Sequence, residues 1–130
     1  MKRLTTLIAV AVLGVVALAN VRSADQARSE QAVLVHFDYG SRDLAPFFQF
    51  EDRLEQAIKA SGAGEYDGNE LAIDGSDGTL YMYGPDADKL FAVVKPLLQS
   101  SRLLKNVVVT LRYGAPGDKT AREVQVRVGS

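Results

Sequence analysis

The stretch "DGSDGTLYMYGPDADKLF", residues 74 to 91, decides the fold because it joins two strands to a helix. In "TLYMY" (79 to 83) apolar residues alternate with tyrosines, which is the period of a strand with one apolar face. The preceding "DGSDG" supplies the glycines and aspartates that turns use for positive φ and local hydrogen bonds. With a partner strand expected at residues 71 to 74, this stretch predicts a β-hairpin.

The second half of the stretch, "GPDADKLF", predicts the start of a helix. Pro85 is expected at the first helical position, while Asp86 and Asp88 place negative charge at the positive end of the helix dipole. Pro96 lies inside the helical pattern and is expected to kink the last turns. The apolar stripe of this helix consists of Ala87, Leu90, Phe91, Val94, Leu97 and Leu98.

Upstream of the hairpin the sequence predicts a first helix. It runs from about Leu44 to Ser61, with Asp43 as a cap at its start and Gly62 or Gly64 at its end. Apolar residues recur there at three- and four-residue steps, which indicates one buried stripe. The stripe consists of Phe47, Phe50, Leu54, Ala57 and Ile58.

Three further strands surround these elements. "VLVHFDY" (33 to 39) and "VVVTLRY" (107 to 113) alternate, and "EVQVRV" (123 to 128) predicts a last strand. The order is then β-α-β-β-α-β-β, of which the first six elements match the ferredoxin-like, or split βαβ, arrangement. We expect an α+β two-layer sandwich with both helices on one face of an antiparallel sheet. An extra C-terminal hairpin strand extends this sheet, which predicts the strand order 5-4-1-3-2.

The first residues carry the pattern of a secretory signal peptide. Lys2 and Arg3 form a basic start, and "TTLIAVAVLGVVALA" follows without a charge and ends in an A-x-A cleavage motif at Ala19. We interpret residues 1–19 as a leader and residues 20–32 as a flexible polar tether. A single domain then spans residues 33–130, and the mature protein is expected to be periplasmic or secreted.

Two alternatives for the N-terminus stay open. Cleavage could instead follow Ser23 or Ala24. Alternatively, residues 4–21 could remain as an uncleaved anchor in the inner membrane, although this apolar run is short of the roughly 20 residues that a spanning helix needs. Contact with a membrane is expected only through this segment.

Charge and cysteine content narrow the class of protein. The chain has 15 basic and 16 acidic residues and no cysteine, and loss of Lys2 and Arg3 with a leader would make it more acidic. Nucleic-acid binding relies on clustered lysine and arginine, so no nucleic-acid partner is expected. Without cysteine, disulfides, thiolate metal sites and cysteine nucleophiles are excluded.

The segment "GEYDGNELAIDGSDGTLYMYGPDADKLF" (64 to 91) resembles a small, uncharacterised bacterial protein family, a domain of unknown function. The shared pattern is G-E-x-D-G-N-E, an aromatic strand, and then Y-G-P-D-A-D before a helix. The resemblance covers roughly residues 33 to 113 and implies the ferredoxin-like fold. It implies no activity for this chain.

The acidic loops raise the question of a metal site. The stretch that begins at Asp74 lacks the acids at positions 3 and 5 and the glutamate at position 12 that a calcium loop requires. No phosphate-binding glycine motif occurs either, so we expect no metal and no cofactor. Turn and cap roles account for the oxygen-bearing side chains, which are Asp67, Asn69, Asp74, Asp77, Asp86 and Asp88.

Hydrolytic chemistry has little support in this sequence. His36 is the sole histidine. A set of Ser76, His36 and Asp38 would need a direct histidine–aspartate bond, yet residues two apart on one strand lie about 7 Å apart. No G-x-S-x-G motif occurs. We therefore expect that the protein is not an enzyme.

The remaining signal is the sheet face that the helices leave uncovered. In the predicted order, strands 4, 1 and 3 are adjacent. Tyrosine and arginine are enriched at binding hot spots, although cross-strand aromatic pairs also stabilise a sheet without any partner. The side chains expected to share this face are His36, Asp38, Tyr81, Tyr83, Thr110 and Arg112.

Three classes of function therefore stay open. The leading one is an exported, non-catalytic module that binds a protein through this face. An exposed edge strand, 70 to 74 or 124 to 128, could also add to a partner sheet or to itself. The second class is a small-ligand or metal-binding protein, or an enzyme, that uses the acidic loops. The third is a structural homodimer formed through the sheet face.

Overall fold

The structure, a computed structural model, describes residues 30 to 129. The expected leader and most of the tether lie outside these residues. The first strand begins at Gln31, so the last two residues assigned to the tether belong to the sheet. In chain order the elements are β1 (Gln31–Asp38), α1 (Ala45–Ser61), β2 (Glu65–Leu71), β3 (Asp77–Gly84), α2 (Ala87–Ser100), β4 (Lys105–Arg112) and β5 (Glu123–Val128).

The five strands form one antiparallel sheet in the order β2-β3-β1-β4-β5. This is the order 5-4-1-3-2 counted from the opposite edge. The helices pack against each other and against the sheet, which is consistent with a two-layer α+β sandwich. Between residues 30 and 129, no helix combines the length and the hydropathy needed to cross a membrane.

The hydrophobic core lies between the sheet and the two helices. Val33, Val35 and Phe37 alternate along β1 and are fully buried, because the side chains of a strand point to opposite faces in turn. Both predicted helical stripes face this core, although Ala57, Phe91 and Leu97 are only partly buried. The buried stripe residues are Phe47, Phe50, Leu54 and Ile58 in α1 and Ala87, Leu90, Val94 and Leu98 in α2.

The C-terminal end of α1 follows the sequence signal, whereas its start differs from the expected cap. Gly62 ends the helix in left-handed backbone with φ +68°, a conformation in which glycine carries no Cβ penalty. At the start, Leu44 is the N-cap residue and makes no side-chain cap. Asp43, the expected cap, lies one residue earlier, and its carboxylate accepts a hydrogen bond from the Ala45 amide at 3.2 Å.

The start of α2 corrects one prediction. Asp86 is the N-cap, and its Oδ1 accepts a hydrogen bond from the Lys89 amide at 3.1 Å. Pro85 therefore precedes the helix and does not occupy its first position. Asp88 lies in the first turn as expected, and the helix continues past Pro96 to Ser100.

The position of β2 corrects a second prediction. The strand occupies Glu65–Leu71, whereas residues 72 to 76 form the turn. Within that turn the Gly75 amide donates to the Ala72 carbonyl at 2.9 Å, and Ile73 is fully exposed. "EYDGNEL" has no clear apolar alternation because β2 is an edge strand with a register shift between Tyr66 and Gly68.

Candidate functional site

The sheet face opposite the helices, here called the open face, is covered by no other described element. Its central row places Leu34 of β1 between Tyr81 of β3 and Thr110 of β4. All three residues are partly buried, because long side chains on adjacent strands pack against one another. Burial, and then the Glu70 carboxylate of β2, raises the pKa of Tyr81. The centre of the open face is therefore an aromatic and apolar patch with an acid beside it.

The next row places Ala32 between Tyr83 and Arg112, and Ala32 has no exposed surface. Nε of Arg112 donates to the carbonyl of Gly114 at 3.0 Å. Nη2 of the same guanidinium is buried and has no hydrogen-bond partner among the described residues. Burial and the Asp67 carboxylate raise the pKa of Tyr83, while the charge of Arg112 opposes that rise. This row therefore holds a cation with an unused donor.

His36 lies in the third row, and its side chain is exposed. Its Nδ1 is 3.3 Å from Oγ1 of Thr79, and its Nε2 is 3.7 Å from Oδ2 of Asp77. The side chains of His36 and Asp77 are 53% and 46% exposed, so water screens their interaction.

Asp38 lies at the end of the open face. Its hydrogen-bond partner is Asn106 and not His36, the partner considered for it in a hydrolytic set. Its Oδ2 accepts a hydrogen bond from Nδ2 of Asn106 at 2.8 Å. The hydroxyl of Ser76 is 3.4 Å from Oδ1 of Asp77. Ser76, His36 and Asp38 therefore do not assemble into a hydrolytic set.

All six residues expected on the open face occupy its strand positions, but only Tyr81, Tyr83, Thr110 and Arg112 surround its partly buried centre.

The carboxylates of Asp74 and Asp118 accept hydrogen bonds from backbone amides within their own turns. Oδ1 of Asp74 accepts from the Ser76 amide at 3.0 Å, and Oδ1 of Asp118 accepts from the Thr120 amide at 2.9 Å. Hydrogen bonds from Ser76 and from Thr120 lower the pKa of Asp74 and of Asp118, respectively. Over residues 30 to 129, no three histidine or acidic side chains are grouped to hold a metal ion.

One polar cluster was missed by sequence reasoning. The Tyr66 hydroxyl and Nδ2 of Asn69, both on β2, donate to the same carboxylate oxygen of Glu51 on α1. Burial, and then the bond to Glu51, strongly raises the pKa of Tyr66. The cluster ties the edge strand to the helix layer. Its only sequence signal was the "GEYDGNE" segment, whose strand character has no apolar period.

Comparisons of this chain with family models, with curated proteins and with solved structures found no match.

The raised pKa values of the tyrosines predict that the folded state loses stability at alkaline pH. The pKa of each of the five tyrosines is raised, chiefly by burial for Tyr39, Tyr66, Tyr81 and Tyr83 and by a hydrogen bond to Asp88 for Tyr113. The folded state thus keeps phenol protons that the unfolded chain releases near pH 10. The stabilisation is complete below about pH 10 and falls as the pH rises further.

Urea unfolding at a series of pH values would measure this slope. Tyr66→Phe serves as the matched variant, because it removes the strongest shift while it keeps the ring. We expect Tyr66→Phe to be less stable at neutral pH by about 1 kcal/mol, and to lose less stability in alkali than the unmodified protein. A stability that stays constant above pH 10 would contradict the assigned protonation.

Proposed function

We propose that this chain is an exported, non-catalytic binding module that contacts a protein partner through the open face. Export rests on the signal-peptide pattern of residues 1–19. We further propose that the fold is ferredoxin-like, with β5 as the extra hairpin strand, and that the chain is related to the small bacterial family it resembles. The strand order β2-β3-β1-β4-β5 supports the proposed ferredoxin-like fold.

The observation that carries the binding proposal is the unpaired guanidinium nitrogen of Arg112. A buried donor without an acceptor costs about 1–3 kcal/mol. A partner that supplies a carboxylate there, with a small shift of the side chains that cover Nη2, would recover this cost. Arginine binds carboxylates well because its planar fork of donors matches their geometry.

The surroundings of Arg112 define the rest of the partner. Tyr81, Tyr83 and Leu34 are partly buried on a face without a described covering layer. Partly buried aromatic side chains beside an arginine are typical of interface hot spots. The matching partner surface would present a carboxylate toward Arg112 and an apolar side chain toward Leu34 and Tyr81. This is the surface of a folded protein or a peptide segment.

A second candidate is a small polar ligand at one end of the open face. There a groove of about 550 Å³ is lined by residues that include Asp38, Asp77 and Lys105. Charges of both signs at one groove could bind a zwitterionic or hydroxyl-rich molecule. The groove lies beyond the His36 row and does not involve Tyr83 or Arg112.

The test is a capture experiment with tagged residues 20–130 and an envelope extract of the source cells. The variants Tyr81→Ser and Arg112→Gln are run beside Arg102→Gln, an exposed control near the end of α2. We expect a captured protein whose affinity for the purified module falls about tenfold or more in both face variants. The control should bind like the unmodified module.

Unchanged affinity in Tyr81→Ser and Arg112→Gln would overturn the open face as the binding site. Circular dichroism confirms that the variants are folded. If a ligand shifts the amide resonances of Asp38 and Asp77 in an NMR titration instead, the groove is the site and the second candidate replaces the first.

A further inference from the structure

Over residues 30 to 129, the sheet has two free edges, and they differ in their capacity to pair with another strand. Within this part of the chain, β5 forms one edge and is paired only with β4, and β2 forms the other and is paired only with β3. A free edge presents unpaired backbone N–H and C=O groups, which makes it a template for a further strand. The register between an edge strand and its neighbour determines which residues of the edge strand present those groups.

The β4–β5 ladder fixes the direction of the backbone groups on β5. The Tyr113 amide donates to the Arg122 carbonyl at 2.9 Å, in line with the pairing of Arg112 with Glu123. Hydrogen-bonded and non-bonded pairs alternate in antiparallel ladders. Val124, Val126 and Val128 therefore bond to β4. The residues whose N–H and C=O groups point to the free edge are Glu123, Gln125 and Arg127.

These three residues are self-complementary. When two copies of β5 lie antiparallel about a two-fold axis at Gln125, Glu123 of one copy opposes Arg127 of the other. Gln125 then opposes Gln125. Every outward N–H and C=O group finds a partner, in about six backbone hydrogen bonds. Opposite charges directly across strands stabilise such a pair, and they occur here twice by symmetry.

The β2 edge is not self-complementary. Its register shifts between Tyr66 and Gly68, and Gly68 has φ +106°. Its charged side chains are all acidic, namely Glu65, Asp67 and Glu70. Two copies of β2 would bring like charges together across an irregular ladder, and both features are typical of protected edges.

We propose that a second copy of this chain pairs with β5 through its free edge. The two sheets become one continuous antiparallel sheet, and the two-fold axis runs perpendicular to it. Both open faces then lie on the same side, and both helix layers lie on the other. This inference goes beyond the proposed function, since the dimer uses backbone groups of Glu123, Gln125 and Arg127 and the partner site uses Tyr81 and Arg112.

Analytical ultracentrifugation of residues 20–130 tests the proposal. We expect a dimer in the unmodified chain. In Glu123→Arg and in Arg127→Glu, like charges oppose each other, so each variant should dissociate about tenfold more readily. An equimolar mixture of the two variants should restore the dimer as a heterodimer, because arginines of one chain then oppose glutamates of the other.

The backbone is tested separately with Gln125→Pro. Proline removes the outward N–H of residue 125, while Val124 and Val126 keep their bonds to β4, so the domain stays folded. This variant should be monomeric, and Gln125→Thr, which keeps the N–H, should remain a dimer. Circular dichroism checks the fold of both.

A monomer at about 100 µM in the unmodified chain would overturn the proposal by mass action. So would a dimer that survives Gln125→Pro. A dimer that is lost in Tyr81→Ser but kept in Gln125→Pro would place the contact on the open face instead. The two proposals fail independently, because monomeric Gln125→Pro should still capture the protein partner.

Discussion

Replacing Phe47 by alanine is expected to destabilise the domain by about 3–5 kcal/mol. Phe47 is fully buried and lies at the centre of an aromatic group in the core. Its ring stacks on Phe37 at a centroid distance of 5.6 Å and meets Tyr39 edge-on at 5.7 Å. The cavity would remove these contacts together with the burial of the ring. Since small domains have about 5–15 kcal/mol of stability in total, this variant approaches global unfolding.

Phe48→Ala is the matched control for Phe47→Ala. It makes the same chemical change one residue further along α1, but Phe48 is 50% exposed. Its loss of stability should be below about 1 kcal/mol, as is usual for surface positions. Urea unfolding followed by circular dichroism compares the two. Equal losses in both variants would show that the Phe37–Phe47–Tyr39 group is not the packing centre.

Gly75→Ala is expected to lower the free energy of unfolding by roughly 3 kcal/mol, because the turn that contains Gly75 packs against the loop that contains Gly40 and Ser41. Gly75 has φ +73°, and a Cβ there would lie 2.0 Å from the carbonyl oxygen of Ser41. The Gly75 carbonyl also accepts hydrogen bonds from the amides of Gly40 at 2.7 Å and Ser41 at 3.3 Å. Left-handed backbone costs an L-residue about 1–2 kcal/mol, and each displaced hydrogen bond adds about 1 kcal/mol.

Gly62→Ala separates backbone strain from the steric clash. Gly62 has a similar φ of +68°, yet a Cβ there would meet nothing within 4 Å. Only the cost of left-handed backbone remains, about 1–2 kcal/mol. Thermal or urea unfolding of both variants measures the difference. If Gly75→Ala were no less stable than Gly62→Ala, the contact between the two loops would contribute nothing.

The sequence predicts elements well where the apolar period is strong. β5 matches its expected bounds of residues 123 to 128, and the stripe of α1 predicts the four residues that the helix buries. β2 was misplaced because it is an edge strand with polar side chains and a register shift. Leu71 and Ile73 mimic the apolar alternation of a strand, but Ile73 belongs to the turn.

The open face was predictable as a set of strand positions but not in its contacts. Alternation along each strand predicts which side chains point away from the helices. Cross-strand register depends on the whole sheet, so local patterns do not indicate that Ala32 lies between Tyr83 and Arg112. For the same reason the aspartate nearest to His36 is Asp77 on β3 and not Asp38 on its own strand.

The central position of β1 has a consequence for how quickly the domain folds. β1 is the first described element of the chain, yet Val33 is paired with Met82 on one side and with Leu111 on the other. Contacts between residues this far apart in sequence close slowly, because the entropy of a long loop is lost before any pairing energy is gained. A growing chain that ends before β4 therefore holds an apolar central strand with an unpaired side. Exposed apolar surface and unpaired strand edges favour aggregation, so β1 gains its full protection only when β4 is available to pair with it.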